Sequence, residues 1–160
     1  MRLSAEHARE RFADSPVAVL GTTDEGGVAH LVPVTYLVSG DKVFIAIDGK
    51  PKRSRDLKRL RNIAANPRVC LLAQRYDDDW TRLWWARADG TARIVEPGDV
   101  SFGVLGALAE RYPWYRTNPP DGPVIEVTVH KWSGWSFAAP QVECVSAEMT
   151  PGADCQDGIG

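Results

Sequence analysis

With 160 residues, 44% of them hydrophobic, the chain has enough apolar material for one domain with a buried core and too little length for two. Its net charge of −2 makes the body as a whole a poor partner for nucleic acid. No apolar run reaches the roughly 18 residues of a membrane span, and the charged start lacks the apolar centre of a signal peptide. A cytoplasmic protein with no membrane partner is therefore expected. The three cysteines, Cys70, Cys144 and Cys155, and the three histidines, His7, His30 and His130, show no paired spacing, so neither a disulfide framework nor a metal site is expected.

In chain order, Ser4 is expected to cap a first helix that turns Leu3, Ala5, Ala8 and Phe12 inward and lies on a sheet as a lid. Residues 17–22 (VAVLGT) read as a strand, Asp24-Glu25-Gly26-Gly27 as a turn, and residues 28–38 as one long strand returning beside the first. Pro33 cannot donate to a ladder, so this second strand must be an edge or bulged there, which makes His30 to Thr35 a candidate contact surface. A third strand, residues 42–47 (KVFIAI), delivers the chain to its most unusual stretch.

Seven of the nineteen Lys and Arg residues fall between Lys50 and Arg61, against the single acid Asp56. A local charge of about +6 leaves about −8 for everything else, so an acidic body carries one concentrated cationic feature, suited to a small anion. The run reads as a helix with Ser54 as N-cap, Asp56 in the first turn and Asn66-Pro67 as the stop. Leu57, Leu60, Ile63 and Ala64 share one face, while Arg55, Lys58, Arg59, Arg61 and Asn62 take the other. Lys52 and Arg53 precede the cap and, with the free N–H groups of the first turn, can converge on a phosphate. The competing reading is a solvated helix face.

Residues 69–73 (VCLLA) read as a buried strand with Cys70 in the core, followed by an acidic loop whose Asp77, Asp78 and Asp79 lack calcium-loop spacing. In residues 83–95 (LWWARADGTARIV), a strand bent at Gly90, alternation puts Trp85 and Arg87 on one face and Trp84, Ala86 and Ala88 on the other. One tryptophan is then core and the other can border a groove. Asp99 is expected to cap a helix over residues 100–111, and residues 113–123 form a proline-rich arm. Residues 124–131 alternate as a strand, and 132–137 continue it or turn into a last one. The reading is mainly β, a split antiparallel barrel with helices packed at its ends. Residues 1–137 form the barrel domain, and 138–160 a polar, partly disordered tail.

Taken together, VAVLGTTDEGGVAHLVPVTY, the basic run ending RLRNIAANP, VCLLAQRYDDDWTRLWWARADGTARI and HKWSGW resemble the PPOX class of split β-barrel flavoproteins. The likeness covers about residues 4–137 and is greatest to the coenzyme F420-dependent branch, relatives of the pyridoxamine 5′-phosphate oxidases. It implies a homodimer with flavin or deazaflavin sites between the subunits. It assigns the phosphate to Arg59, with Lys52, Arg53, Lys58 and Arg61 as neighbours, and the ring to a strand comprising Val32, Pro33, Val34 and Thr35. Trp85, the tryptophan taken to border the groove, is a candidate cofactor contact, and Trp132 matches a position that in relatives can approach the cofactor from the partner chain. The Arg-x-His of pyridoxal phosphate-making relatives is missing, so pyridoxamine oxidation is not expected.

The expected function is hydride transfer between reduced F420 and a small electron-poor substrate, with FMN as the alternative cofactor and a non-catalytic carrier as the alternative role. Lys50 and Arg116 are candidates for the cofactor's anionic tail, and Thr35 and Tyr36 for a proton donor. No Ser-His-Asp, Cys-His or paired-carboxylate spacing marks a catalytic side chain. A basic-helix RNA binder is the third reading, disfavoured by the overall acidity.

Overall fold

The computed structural model describes residues 1–47 and 57–138. Helix α1 (Ala5–Asp14) starts where expected: Ser4 Oγ accepts from the His7 N–H at 3.1 Å. Leu3, Ala8 and Phe12 are buried, but Ala5 is exposed. Strands β1 (Ala18–Thr23), β2 (Ala29–Val34), β3 (Leu37–Ser39) and β4 (Lys42–Ala46) precede helix α2 (Lys58–Ala65). Then come β5 (Arg68–Arg75), β6 (Trp84–Val95), α3 (Phe102–Arg111), the single turn α4 (Trp114–Thr117) and β7 (Val124–Ser136). Every pairing is antiparallel, in the order β2-β1-β5-β6-β7-β4-β3, giving a mainly β fold.

That order corrects the single strand expected over residues 28–38. Its two halves, β2 and β3, are the opposite edges of the sheet, joined only by Thr35 and Tyr36. Seven strands laid flat would place their outer members about 29 Å apart. The three Cα steps from Val34 to Leu37 span at most about 11 Å. The sheet must therefore roll until its edges meet, which makes it a split barrel. One apolar cluster confirms the closure, drawing Leu20 from β1, Val34 from β2, Ile45 from β4, Leu71 from β5, Ala88 from β6 and Val127 from β7.

The edge position of β2 accommodates Pro33, whose missing N–H would break a ladder in any interior strand. After Lys42, β4 is apolar because both its faces are covered: Val43 and Ile45 enter the barrel, while Phe44 and Ala46 lie under α3 and α4 with Leu108 and Tyr115. Between β6 and β7 the register shifts at Gly90, which pairs with Val129 while Asp89 pairs with Lys131, leaving His130 as the extra residue. Inward positions on β7 change accordingly from Ile125, Val127 and Val129 to Trp132, Gly134 and Ser136.

Some expected boundaries move. Helix α2 begins at Lys58 with Leu57 as N-cap and no side-chain cap bond; Ser54 and Asp56 lie outside the described residues. Asn62, placed on the cationic face from sequence, is buried and donates from Nδ2 to Thr22 Oγ1 at 2.9 Å, whereas Ala64 is exposed. The helix plugs one end of the barrel, so protein meets it on more than one side. Ser101, not Asp99, is the N-cap of α3, and Asp99 belongs to a preceding 3₁₀ turn. β7 runs unbroken through Ser136.

The acidic loop folds on itself. Asp77 accepts from Arg75 Nη2 at 2.8 Å, and Asp79 accepts from the Thr81 hydroxyl at 2.6 Å. These bonds hold both carboxyls below the ordinary aspartate range. Among the described residues no three His, Cys, Asp or Glu gather as metal ligands, and no helix is long and apolar enough to cross a membrane. The tail beyond Ala138 lies outside the described residues.

Candidate functional site

Strict alternation along β1 and β5 sends Leu20, Leu71 and Ala73 inward and leaves Val19, Gly21, Cys70 and Leu72 on the outer wall. With Leu31 from β2, Gln74 from β5, and Trp85 and Arg87 from β6, they line a groove of about 560 Å³ across four strands. That volume lies within the range of small-molecule sites. Gly21 keeps the floor low: a Cβ there would stand 3.2 Å from Leu31 Cδ2 and 3.4 Å from the Cys70 carbonyl oxygen. Leu31 is 67% exposed, so a wall with apolar residues on both faces is left open on one of them.

Among the described residues that line the groove, Arg87 alone is charged. Its Nε and Nη2 both reach Asp89 Oδ2, at 3.1 and 3.0 Å, which fixes the guanidinium on the strand. Cys70, expected in the core, is instead a half-buried outer-wall residue, because Val69 and Leu71 take the inward positions beside it. Burial raises its thiol to about 11, with Asp89 adding to the effect, so the sulfur stays protonated at neutral pH.

The groove runs toward the basic helix. Gly21 lines it, and two residues further along β1 the Thr23 Oγ1 accepts from Asn66 Nδ2 at the end of α2, at 3.2 Å. Lys58, Arg61, Asn62 and Ala65 of α2, with Asp24, Glu25, Gly26 and Val28 of the β1–β2 turn, line a second cleft of about 530 Å³. Lys58 pairs with Asp24 at 3.5 Å. The Val28 N–H, with Lys58 beside it, holds the Asp24 carboxyl below its ordinary range. Arg59 is half-buried on the same helix.

Of the residues singled out from sequence, Trp85 lies in the groove, and Lys58 and Arg61 line the adjoining cleft. Lys50, Lys52 and Arg53 lie outside the described residues. The strand expected against a ring divides by face. Val32 and Val34 point into the core, Pro33 points outward opposite the groove residue Val19, and Thr35 sits at the seam with its hydroxyl 3.0 Å from Tyr115 Oη. Trp132 is not on this wall: the β7 bulge turns it inward, where its ring stacks edge-on against Phe12 at 5.3 Å.

Tyr36, suggested as a proton donor, is fully buried with its hydroxyl donated to the Phe12 carbonyl, and burial raises its pKa further. Arg116 donates to the carbonyls of Ala109 and Glu110, closing the C-terminal turn of α3. Sequence reading missed Val19, Gly21, Leu72 and Gln74, while Leu31 fell within the contact surface it marked from His30 to Thr35. The available signal was strands apolar on both faces in a chain too small to cover both with its own helices.

A third cleft, about 260 Å³, lies between α3 and the outer face of β4 and β7. In it Glu126 is bonded by Lys42 Nζ at 2.9 Å and by Arg93 through Nε at 2.9 Å and Nη2 at 3.1 Å. The Arg93 fork, followed by Lys42, holds the Glu126 carboxyl below the glutamate range.

A split barrel with an apolar outer groove that adjoins a basic helix at the barrel's end defines the class of this protein. A family model of pyridoxamine 5′-phosphate oxidase matches residues 4–136, and the chain belongs to that family. Among solved structures, an Agrobacterium tumefaciens protein of unknown function aligns at 20% identity and a TM-score of 0.65, covering 85% of this chain and 57% of that one. This chain thus spans little more than half the length of that relative. The conserved hypothetical protein Rv2991 of Mycobacterium tuberculosis aligns at 19% identity and a TM-score of 0.64, covering 94% of this chain and 93% of its own. The FAD-binding protein of Mycobacterium smegmatis aligns at 20% identity and a TM-score of 0.60, covering 86% and 98%. At these identities the likeness is one of fold. Comparison with curated proteins found no match.

Proposed function

We propose that the protein is an oxidoreductase that binds coenzyme F420, passing hydride between the reduced deazaflavin and a small electron-poor organic substrate, and that it works as a homodimer. The observation that carries this reading is the apolar groove of Leu31, Leu72 and Trp85 adjoining the cations of α2. A planar ring with a phosphate-bearing tail has that polarity. Lys58, Arg59 and Arg61 would bind the phosphate, helped by Lys52 and Arg53. Leu31, Val19, Leu72 and Trp85 would cover the ring face and exclude water, and Gly21 leaves room for the ring's thickness. The hydride itself is supplied by the bound cofactor. With Thr35 and Tyr36 engaged in the seam, the proton needed by the product comes from solvent. A second subunit placed over the exposed Leu31 wall would close each groove.

FMN is the second reading, favoured by the described binding of FAD in the M. smegmatis relative, because the flavin ring has the same shape and the same anchoring phosphate. Incubation with each cofactor, desalting and an absorbance spectrum separate the two. Retained F420 absorbance, followed by oxidation of reduced F420 in the presence of enones or quinones, is the expected result. Retention of FMN alone removes F420 from the proposal. Tight F420 binding with no turnover on any acceptor makes the protein a carrier, and retention of neither cofactor ends the reading.

A further inference from the structure

We infer that Arg87 is a catalytic residue of this groove: its guanidinium binds the pyrimidine edge of the ring and holds the negative charge that reduction places there. The inference rests on the cofactor reading above and goes beyond it by assigning the electrostatic work to one side chain.

Three observations converge. Among the described residues, Arg87 is the one charged member of a lining otherwise made of Val19, Gly21, Leu31, Cys70, Leu72, Gln74 and Trp85. Bordered mostly by apolar groups on the side away from Asp89, this cation is less well solvated than one on an open polar surface, so an anion on the facing ring would feel it more strongly. Asp89 Oδ2 accepts from Nε at 3.1 Å with Nη2 3.0 Å away, so at least three of the five guanidinium donors are left to face a ligand. Because that anchor sits two residues along the same strand, the fork is oriented before anything binds.

The charge balance specifies what the guanidinium does. Two electrons and one proton added to a neutral flavin-type ring leave one net negative charge, spread over a ring nitrogen and its neighbouring carbonyl. Planar N–H donors match that edge, and they interact more strongly with it after reduction than before. Arg87 therefore favours the reduced state and, in turnover, strengthens binding to the form that carries the hydride. Asp89 has two opposing effects, aiming the guanidinium while offsetting part of its charge.

The test is a reduction potential, read on the wild-type protein loaded with whichever of F420 or FMN it retains, by dithionite titration beside a reference dye. Arg87→Gln should weaken binding of the reduced ring at least tenfold more than binding of the oxidised ring. For a two-electron couple that lowers the midpoint by about 30 mV. Arg87→Lys should fall between the two, and Asp89→Asn should raise the midpoint above wild type. Both side chains lie on the outer wall, and an unchanged melting temperature would show that the variants fold. An unshifted midpoint with cofactor still bound overturns the role of Arg87 and leaves the cofactor reading standing. So does an equal loss of affinity for both oxidation states. A wild-type protein that retains neither cofactor overturns both.

Discussion

At Gly90 the two longest strands leave no room for a side chain: a Cβ would stand 2.4 Å from the Thr128 carbonyl oxygen. Gly90→Ala should therefore force the β6–β7 bulge apart, costing about 1–3 kcal/mol in a urea unfolding titration. The sequence marked this glycine as a bend. What it could not mark was the consequence, that the bulge reverses which side of β7 faces inward and so turns Trp132 toward Phe12 and away from the outer wall. Cys70 shows the same limit. Apolar neighbours suggested burial in the core, yet strand parity places the thiol in the groove. Its raised pKa predicts slow alkylation by iodoacetamide at pH 7, and a ring bound in the groove should slow it further. Peptide mapping with and without F420 or FMN reads both effects, and an unprotected Cys70 in the loaded protein would place the ring elsewhere. On α2, Lys58→Ala and Arg59→Ala should each weaken cofactor binding by about tenfold or more, since each removes a charge-assisted contact to phosphate.

Where β2 hands the chain to β3, one phenol takes the place of a strand neighbour. Tyr112 Oη accepts from the Tyr36 N–H at 3.1 Å and lies 2.9 Å from both the Tyr36 and Pro16 carbonyls. Arg111 Nε donates to the same oxygen at 3.0 Å. Beside it Thr35 meets Tyr115, and Tyr36 donates to Phe12. Helices α3 and α4 thus lock the seam of the barrel, although their sequences suggested only packing and a proline-rich arm. Tyr112→Phe keeps the ring but strips partners from the part-buried backbone groups of Tyr36, and should lower unfolding free energy by about 1 kcal/mol. Tyr115→Phe should cost less, because the Thr35 hydroxyl it abandons is only half-buried. Equal stability of Tyr112→Phe and wild type would mean that apolar packing alone closes the seam. The strand periods were legible along the chain. The opposite-edge placement of β2 and β3 was not, because it depends on a tyrosine 76 residues downstream of Tyr36.

For the molecule as a whole, several carboxylates titrate below their ordinary range. Asp24, Asp77, Asp79 and Glu126 are all held low by hydrogen bonds and neighbouring cations. The unfolded chain therefore binds more protons near pH 4, so the stability these groups contribute is present above about pH 4 and is lost as pH falls through their folded values. At the alkaline end, Cys70 and Tyr36 are raised, so the unfolded chain loses their protons first and stability falls above about pH 9. Urea midpoints between pH 3 and pH 10 should trace this dome, and Glu126→Gln should flatten its acidic limb. The proposed dimer is tested at the same scale. Leu31→Arg places a charge on the exposed wall without touching the core, and should convert a dimeric mass in light scattering to a monomeric one. A wild-type monomer at assay concentration would remove the shared site.

The sequence by itself determined most of the strands, though not the break between β2 and β3, together with the first helix capped by Ser4, the edge position open to Pro33 and the concentration of cations ahead of Asn66, because each rests on local periodicity, backbone chemistry or charge. Only the tertiary structure decided which outer face would become a groove. Val19, Gly21, Leu31, Leu72 and Trp85 come from four strands, and nothing in their spacing brings them together until β2, β1, β5 and β6 pair side by side in register. Rolling is a property of the closed chain, enforced by a two-residue link between opposite edges, and no local pattern encodes it.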